Sequence, residues 1–155
     1  MLGRVKLLLE NQLCFEVHAT ARALDGVYRT LLRDLGLTYP QYLAMMVLWE
    51  REPVTVKELG AALRLDSGTL SPLLKRMETA GLVRRERSAA DERSVLVRLT
   101  PAGAGLRARA EEIPGMIFAA TGLGLEELAA LRATLRRVTA ALDEAALGAA
   151  PGGER

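Results

Sequence analysis

The chain has little of what builds covalent, metal-held or membrane-spanning folds. One cysteine, Cys14, among 155 residues excludes an intramolecular disulfide, and with one histidine, His18, it leaves too few soft ligands for a thiolate zinc site. No charge-free run approaches the roughly 20 apolar residues that a spanning helix needs, so no transmembrane segment is expected. The amino-terminal stretch MLGRVKLLLENQLCFEV meets Glu10 within ten residues and lacks a small-residue cleavage site after a long apolar run. It does not read as a secretory signal, and the expected location is cytoplasmic. There is no glycine-rich phosphate loop, no internal repeat and no linker, and nothing in the residues asks for a cofactor or a metal. Charge of one sign is also missing overall: 21 Lys and Arg face 19 Asp and Glu, for a net +2. What is present suits one folded domain over about residues 1–150, since 50% of the residues are apolar and 26% charged. The tail Pro151–Arg155 is expected to be disordered.

Hydrophobic spacing predicts a mainly helical protein. Leu9, Leu13, Val17, Ala21, Leu24, Tyr28, Leu31 and Leu35 recur every three or four residues, which places them on one stripe of a long first helix ending at Gly36. Thr38, with Pro40 and Gln41 behind it, is a capping box that opens a second helix, and Pro53 ends that helix. Thr55 and Glu58 form a second box, predicting a short helix over Val56–Leu63. Asp66 caps a fourth helix whose inward stripe is Leu70, Leu73, Leu74 and Met77, and Gly81 terminates it. After Gly81, Leu82–Arg87 and Val95–Leu99 alternate as two strands around a polar Ser88–Ser94 turn. Thr100-Pro101 then starts further helical patterns over about Ala102–Ala119 and Glu126–Leu147. The carboxy-terminal stripe Leu125, Leu128, Leu131, Leu135, Val138 and Leu142 has little chain left to cover it. A second copy of the chain is the expected cover, since two-fold pairs are the commonest oligomers.

The third and fourth helices, joined by a tight Arg64–Asp66 connection, are spaced as a helix-turn-helix, and the hairpin behind them as a wing. In such a unit the second helix enters the DNA major groove by its amino-terminal half. Its outward residues there, Ser67, Gly68, Thr69, Ser71 and Pro72, are small, and Lys75 and Arg76 follow. Between Lys75 and Arg98 lie seven cations and four acids, while the rest of the chain has one more acid than cations. The positive charge is therefore concentrated where phosphates would be met, with Arg85 and Arg87 on the hairpin. At its tip, Arg93 suits a narrow minor groove, with Asp91 placed to orient its guanidinium.

The series Leu59-Gly60, Leu65–Leu74, Lys75-Arg76-Met77-Glu78, Gly81-Leu82-Val83, Arg85, Asp91-Glu92-Arg93 and Leu99-Thr100-Pro101-Ala102-Gly103 resembles the winged helix-turn-helix of the MarR family of bacterial regulators. The resemblance implies a DNA-reading lobe over about residues 53–100. Long helical dimerisation regions, 5–36 and 102–147, flank it. The family implies a homodimer on double-stranded, pseudo-palindromic operator DNA, recognition helices in successive major grooves and wings over the flanking minor grooves. Leu9-Glu10-Asn11-Gln12-Leu13-Cys14-Phe15, Tyr28 and Gly36-Leu37-Thr38-Tyr39-Pro40 are similar to the organic hydroperoxide-sensing repressors of that family. That likeness implies a peroxidatic Cys14, with Tyr28 and Tyr39 lining its pocket beside Phe15. Those sensors usually carry Tyr one turn after the cysteine, where this chain has His18.

Simple geometry bears on this. Tyr28 is fourteen residues beyond Cys14, about 21 Å along a helix, so it cannot touch Cys14 of its own chain. If two first helices cross antiparallel near Ala21, Tyr28 of one copy meets Cys14 of the other. Cys14 sits early in its helix, expected beyond the first turn. His18, at i+4, shares its face and is placed to donate to a thiolate. With no second cysteine, a sulfenic acid at Cys14 needs a small external thiol to form a mixed disulfide. Two other readings stay open on residues alone. In one the dimer cleft takes a small phenolic ligand and Cys14 is a bystander. In the other Cys14 and His18 form a thiol enzyme, for which the sequence supplies no third catalytic group.

Overall fold

A computed structural model describes residues 7–91 and 93–148. In chain order it has a 3-10 turn at Leu9–Asn11, α1 (Leu13–Leu31), a second 3-10 turn at Arg33–Leu35, α2 (Tyr39–Arg51), β1 (Val54–Thr55), α3 (Val56–Leu63), α4 (Ser67–Thr79), β2 (Val83–Arg87), β3 (Val95–Leu99), α5 (Pro101–Gly105), α6 (Arg107–Ala110), α7 (Ile113–Thr121) and α8 (Leu125–Gly148). Two compact units meet at the Ile117–Phe118 bond.

The first unit holds the core. Leu32, Ala44, Met45, Leu48, Leu59, Leu74, Met77 and Val97 are wholly buried there, at 0% exposure. The capping chemistry read from the sequence is in place. Thr38 N–H donates to Gln41 Oε1 at 2.9 Å, and Thr55 N–H to Glu58 Oε2 at 2.8 Å while Glu58 N–H reaches Thr55 Oγ1 at 3.1 Å. Asp66 Oδ1 accepts Thr69 N–H at 2.8 Å. These side chains satisfy backbone donors that a helix start leaves open. Between α3 and α4 the chain turns through Arg64, held at φ 56°. The stripe Leu70, Leu73, Leu74 and Met77 is buried as expected. The wing pairs β2 and β3 antiparallel, with Val83 opposite Leu99 and Arg85 opposite Val97. A two-residue strand missed by sequence reading, β1, joins it through Val54 opposite Val97, giving the order β1-β3-β2.

Two sequence expectations need correction. The first helix is not continuous: Gln12 is extended at φ −96°, ψ 104°, and separates the turn at Leu9–Asn11 from α1. The helix expected over Ala102–Ala119 is three pieces, α5, α6 and α7. Pro114 has no N–H to give the carbonyl four residues back and crowds it, and Gly103 and Gly105 weaken the first piece. Helix periodicity survives such breaks because the apolar stripe resumes in phase.

At the end of the wing, Thr100 Oγ1 donates to Gly81 O at 2.6 Å and accepts Gly103 N–H at 3.0 Å. Trp49 Nε1 donates to Gly103 O at 3.0 Å. Gly103 is pressed so close to Leu82 that a Cβ there would overlap the Leu82 carbonyl.

No residue of α1 is buried within the chain. Leu9, Leu13 and Val17 stand 64%, 65% and 42% exposed. In the second unit, α8 likewise exposes Leu125, Leu131, Leu135 and Leu142. Among the described residues, no single helix is long and apolar enough to cross a membrane. The carboxy-terminal tail Pro151–Arg155 lies outside the described residues.

Candidate nucleic-acid interface and thiol site

The outer face of α4 is composed as the sequence suggested. Ser67, Gly68, Thr69, Ser71, Pro72, Lys75 and Arg76 are all exposed while the opposite stripe is buried. Period 3.6 forces this separation, because four apolar side chains at i, i+3, i+4 and i+7 commit one face to the core. The hairpin carries Arg84, Arg85, Arg87 and Arg93, all exposed positions. An open groove runs between α3, the start of α4 and the wing, lined by Lys57, Ser67, Arg85, Asp91 and Arg93 among others. Cations from three elements thus face one cleft.

Two residues behave differently from expectation. Asp91 Oδ1 accepts the backbone N–H of Arg93 at 3.0 Å, the turn geometry typical of aspartate. It orders the main chain under Arg93, where sequence reading had it on the guanidinium. Arg85 spends its guanidinium on Glu78: Nε donates to Oε2 at 3.0 Å and Nη2 at 2.6 Å. The Arg85 side chain, by hydrogen bond first and charge second, holds the Glu78 carboxyl below its usual range and is itself raised. Glu78 was not among the residues singled out from sequence. Glu78 is seven residues back across the Gly81 turn, and only the packing of α4 against β2 brings it to Arg85.

Cys14 is exposed and is the second residue of α1. The break at Gln12 therefore puts it inside the first turn, not beyond it as expected. Gln12 N–H is taken by Leu9 O and Phe15 N–H by Gln12 O, each at 3.0 Å, so what the first turn offers an anion is chiefly the positive end of the helix dipole. Phe15 beside it is 38% exposed. His18 Nδ1 donates to the Cys14 carbonyl at 2.7 Å. Nδ1 is thereby used on the main chain.

The tyrosines form a separate cluster. Tyr28 and Tyr39 stack with ring centroids 4.4 Å apart, Tyr28 lies 6.0 Å from Tyr42, and Tyr42 meets Trp49 edge-on at 6.4 Å. Burial first, then neighbouring phenols or Asp25, raises all three tyrosines above their ordinary value. They are neutral O–H donors at physiological pH. Cys14 and Tyr28 stand near opposite ends of α1, so one chain does not bring them together.

The profile of the MarR family matches residues 37–95, which takes in α2, β1, the α3–α4 pair and β2. Over 127 residues the chain is 52% identical to the organic hydroperoxide resistance transcriptional regulator of Bacillus subtilis (strain 168), spanning 82% of this chain and 86% of that one. The chain belongs to the MarR family. Among solved structures, a reduced AbfR bound to DNA is 34% identical, covering 86% of this chain and 94% of that one at a TM-score of 0.72. AbfR of Staphylococcus epidermidis is 35% identical, covering 88% and 94%, at 0.69. MarR-family membership accounts for the winged helix-turn-helix. The thiol end of α1, outside the matched profile, rests on its own geometry.

Proposed function

We propose that the protein is a cytoplasmic, homodimeric repressor that binds pseudo-palindromic operator DNA and leaves it when an organic hydroperoxide oxidises Cys14. The observation that carries this is the exposed placement of the only cysteine in the first turn of α1, in a chain half identical to an organic hydroperoxide resistance regulator. The Cys14 thiolate attacks one peroxide oxygen and the O–O bond breaks. Sulfur becomes a sulfenic acid, and the other oxygen leaves and takes up a proton as an alcohol. A small thiol then condenses with the sulfenic acid, releasing water and leaving a mixed disulfide. A phenolic-ligand switch has no observation in its favour. For a thiol enzyme, the relatives are regulators, and the Nδ1 of His18 is occupied by a carbonyl.

In this reading residues 1–150 act as one regulator. Residues 53–100 read DNA, and the flanking regions 5–36 and 102–147 form the dimer. The bare apolar faces of α1 and α8 support the second copy. With two α1 helices antiparallel, Phe15 and His18 of one chain and Tyr28 and Tyr39 of the other would enclose Cys14. On DNA, Ser67, Gly68, Thr69, Ser71 and Pro72 meet base edges and nearby phosphates. Lys75, Arg76 and Arg87 neutralise phosphates, and Arg93 enters the minor groove on the turn that Asp91 orders. Arg85 serves through Glu78.

Selecting tight binders from random duplexes tests the reading. The expected outcome is an inverted repeat with half-sites about one helical turn apart, and recovery of sequences without two-fold symmetry would contradict it. At matched salt, Arg93→Ala should weaken operator binding by roughly 1–3 kcal/mol, with the loss concentrated at the flanking positions. Lys75→Ala should weaken all duplexes alike and lower the salt slope by about one. Anisotropy titrations at several salt concentrations separate the two.

A further inference from the structure

Glu78 is in the last turn of α4 and Arg85 is the third residue of β2, with the Gly81 turn, at φ +70°, between them. Three hydrogen bonds join them: Glu78 Oε1 accepts the Arg85 backbone N–H at 3.0 Å, and Oε2 accepts Nε at 3.0 Å and Nη2 at 2.6 Å. A forked guanidinium plus a main-chain bond on one carboxylate fixes direction as well as distance. Arg85 pairs across the ladder with Val97, which is fully buried, and it shares its strand face with buried Val83. Its Cβ therefore faces inward, toward α4. The rest of the ribbon beyond that point, Glu86 and Arg87 on β2, is exposed. Nothing else described joins the outer wing to the recognition helix by a side-chain ion pair. With the side chains 32% and 29% exposed, water screens the pair, and its value lies in geometry more than in stability.

We propose that Glu78 and Arg85 are a positioning pair that sets the angle of the wing against the recognition helix, and with it the reach of Arg93 into the flanking minor groove. The inference rests on the DNA-binding reading above. Arg85 and Arg93 line the same groove beside Ser67, so a tilt of β2 about its buried base moves Arg93 relative to α4. A rigid link is worth having because the major-groove helix and the minor-groove arginine must arrive together. Binding otherwise pays to order the wing.

The test is a thermodynamic cycle on the full-length protein, reading operator Kd by anisotropy for Glu78→Gln, Arg93→Ala and the pair of changes. Glu78→Gln keeps size and removes the charge that holds the fork. It should weaken binding about tenfold in the native background and less than twofold when Arg93 is already alanine. Combined with Lys75→Ala, its effect should multiply in full, since Lys75 is on α4 itself. A general loss of folding would multiply with both and would lower Tm. Arg85→Lys, which keeps the charge and loses the fork, should give the same pattern and serves if Glu78→Gln folds poorly. Full multiplication with Arg93→Ala, or no effect of either variant in the native background, overturns the proposal. If Arg93→Ala alone leaves Kd unchanged, the wing reading has failed and the proposal falls with it.

Discussion

The Cys14→Ser protein should hold its operator when one equivalent of cumene hydroperoxide and a small thiol are added, while the unaltered protein loses affinity by roughly 5- to 150-fold, the ordinary range of an allosteric coupling. Cys14 is the only sulfhydryl in the chain, so a hydroxyl in its place removes every route to a sulfenic acid or mixed disulfide. Serine is close in size, and the site is exposed in the first turn of α1. The substitution should therefore leave Tm unchanged and reduced-state affinity within twofold of the original. The measurement is operator anisotropy before and after oxidant for both proteins. Release of Cys14→Ser by the hydroperoxide would place the sensor elsewhere, with methionine the remaining oxidisable sulfur.

The largest stability effect should fall on a glycine. Gly103→Ala is expected to destabilise by about 2–4 kcal/mol, because its Cβ would overlap the backbone carbonyl of Leu82 and crowd Met45. Backbone cannot rotate out of the way as a flexible side chain can. The same movement would disturb the Thr100 bonds to Gly81 and Gly103 and the Trp49 bond to Gly103, which tie α2 to the end of the wing. Melting should show a fall in Tm on the order of 10 °C, with weakened DNA binding. Two residues on, Gly105 has open space around its Cβ position. Gly105→Ala should be neutral or raise stability by up to about 1 kcal/mol through helix propensity. Equal Tm values for the two variants would contradict the close packing of α5 on the wing's end.

Much of the winged helix-turn-helix was legible because it is written in local chemistry. The capping boxes at Thr38 and Thr55 and the Asp66 cap mark helix starts by side chains that bond within three residues. The helix read over Val56–Leu63 begins and ends where α3 does. The buried stripe of α4 follows from period alone. What was missed depends on distant partners. β1 is too short to show alternation and exists because Val54 finds Val97. The Arg85–Glu78 pairing needed the fold to bring Glu78 across the turn, and the Asp91 bond to the Arg93 backbone needed the turn's own geometry. For the thiol site, spacing correctly separated Cys14 from Tyr28. The stacking of Tyr28 on Tyr39 could not be read, since it depends on how α1 and α2 pack. The first-turn position of Cys14 was missed because Gln12 carries no breaker signal. Its extended backbone interrupts an apolar period that continues on both sides.

One titration tests the central claim most directly: operator anisotropy and intact mass on the same samples, first reduced, then with one equivalent of organic hydroperoxide and a small thiol, then with dithiothreitol. The account predicts that loss of binding tracks the gain of one thiol adduct per chain at Cys14, and that dithiothreitol reverses both. Full operator affinity in a sample whose mass shows every Cys14 carrying the adduct would contradict it.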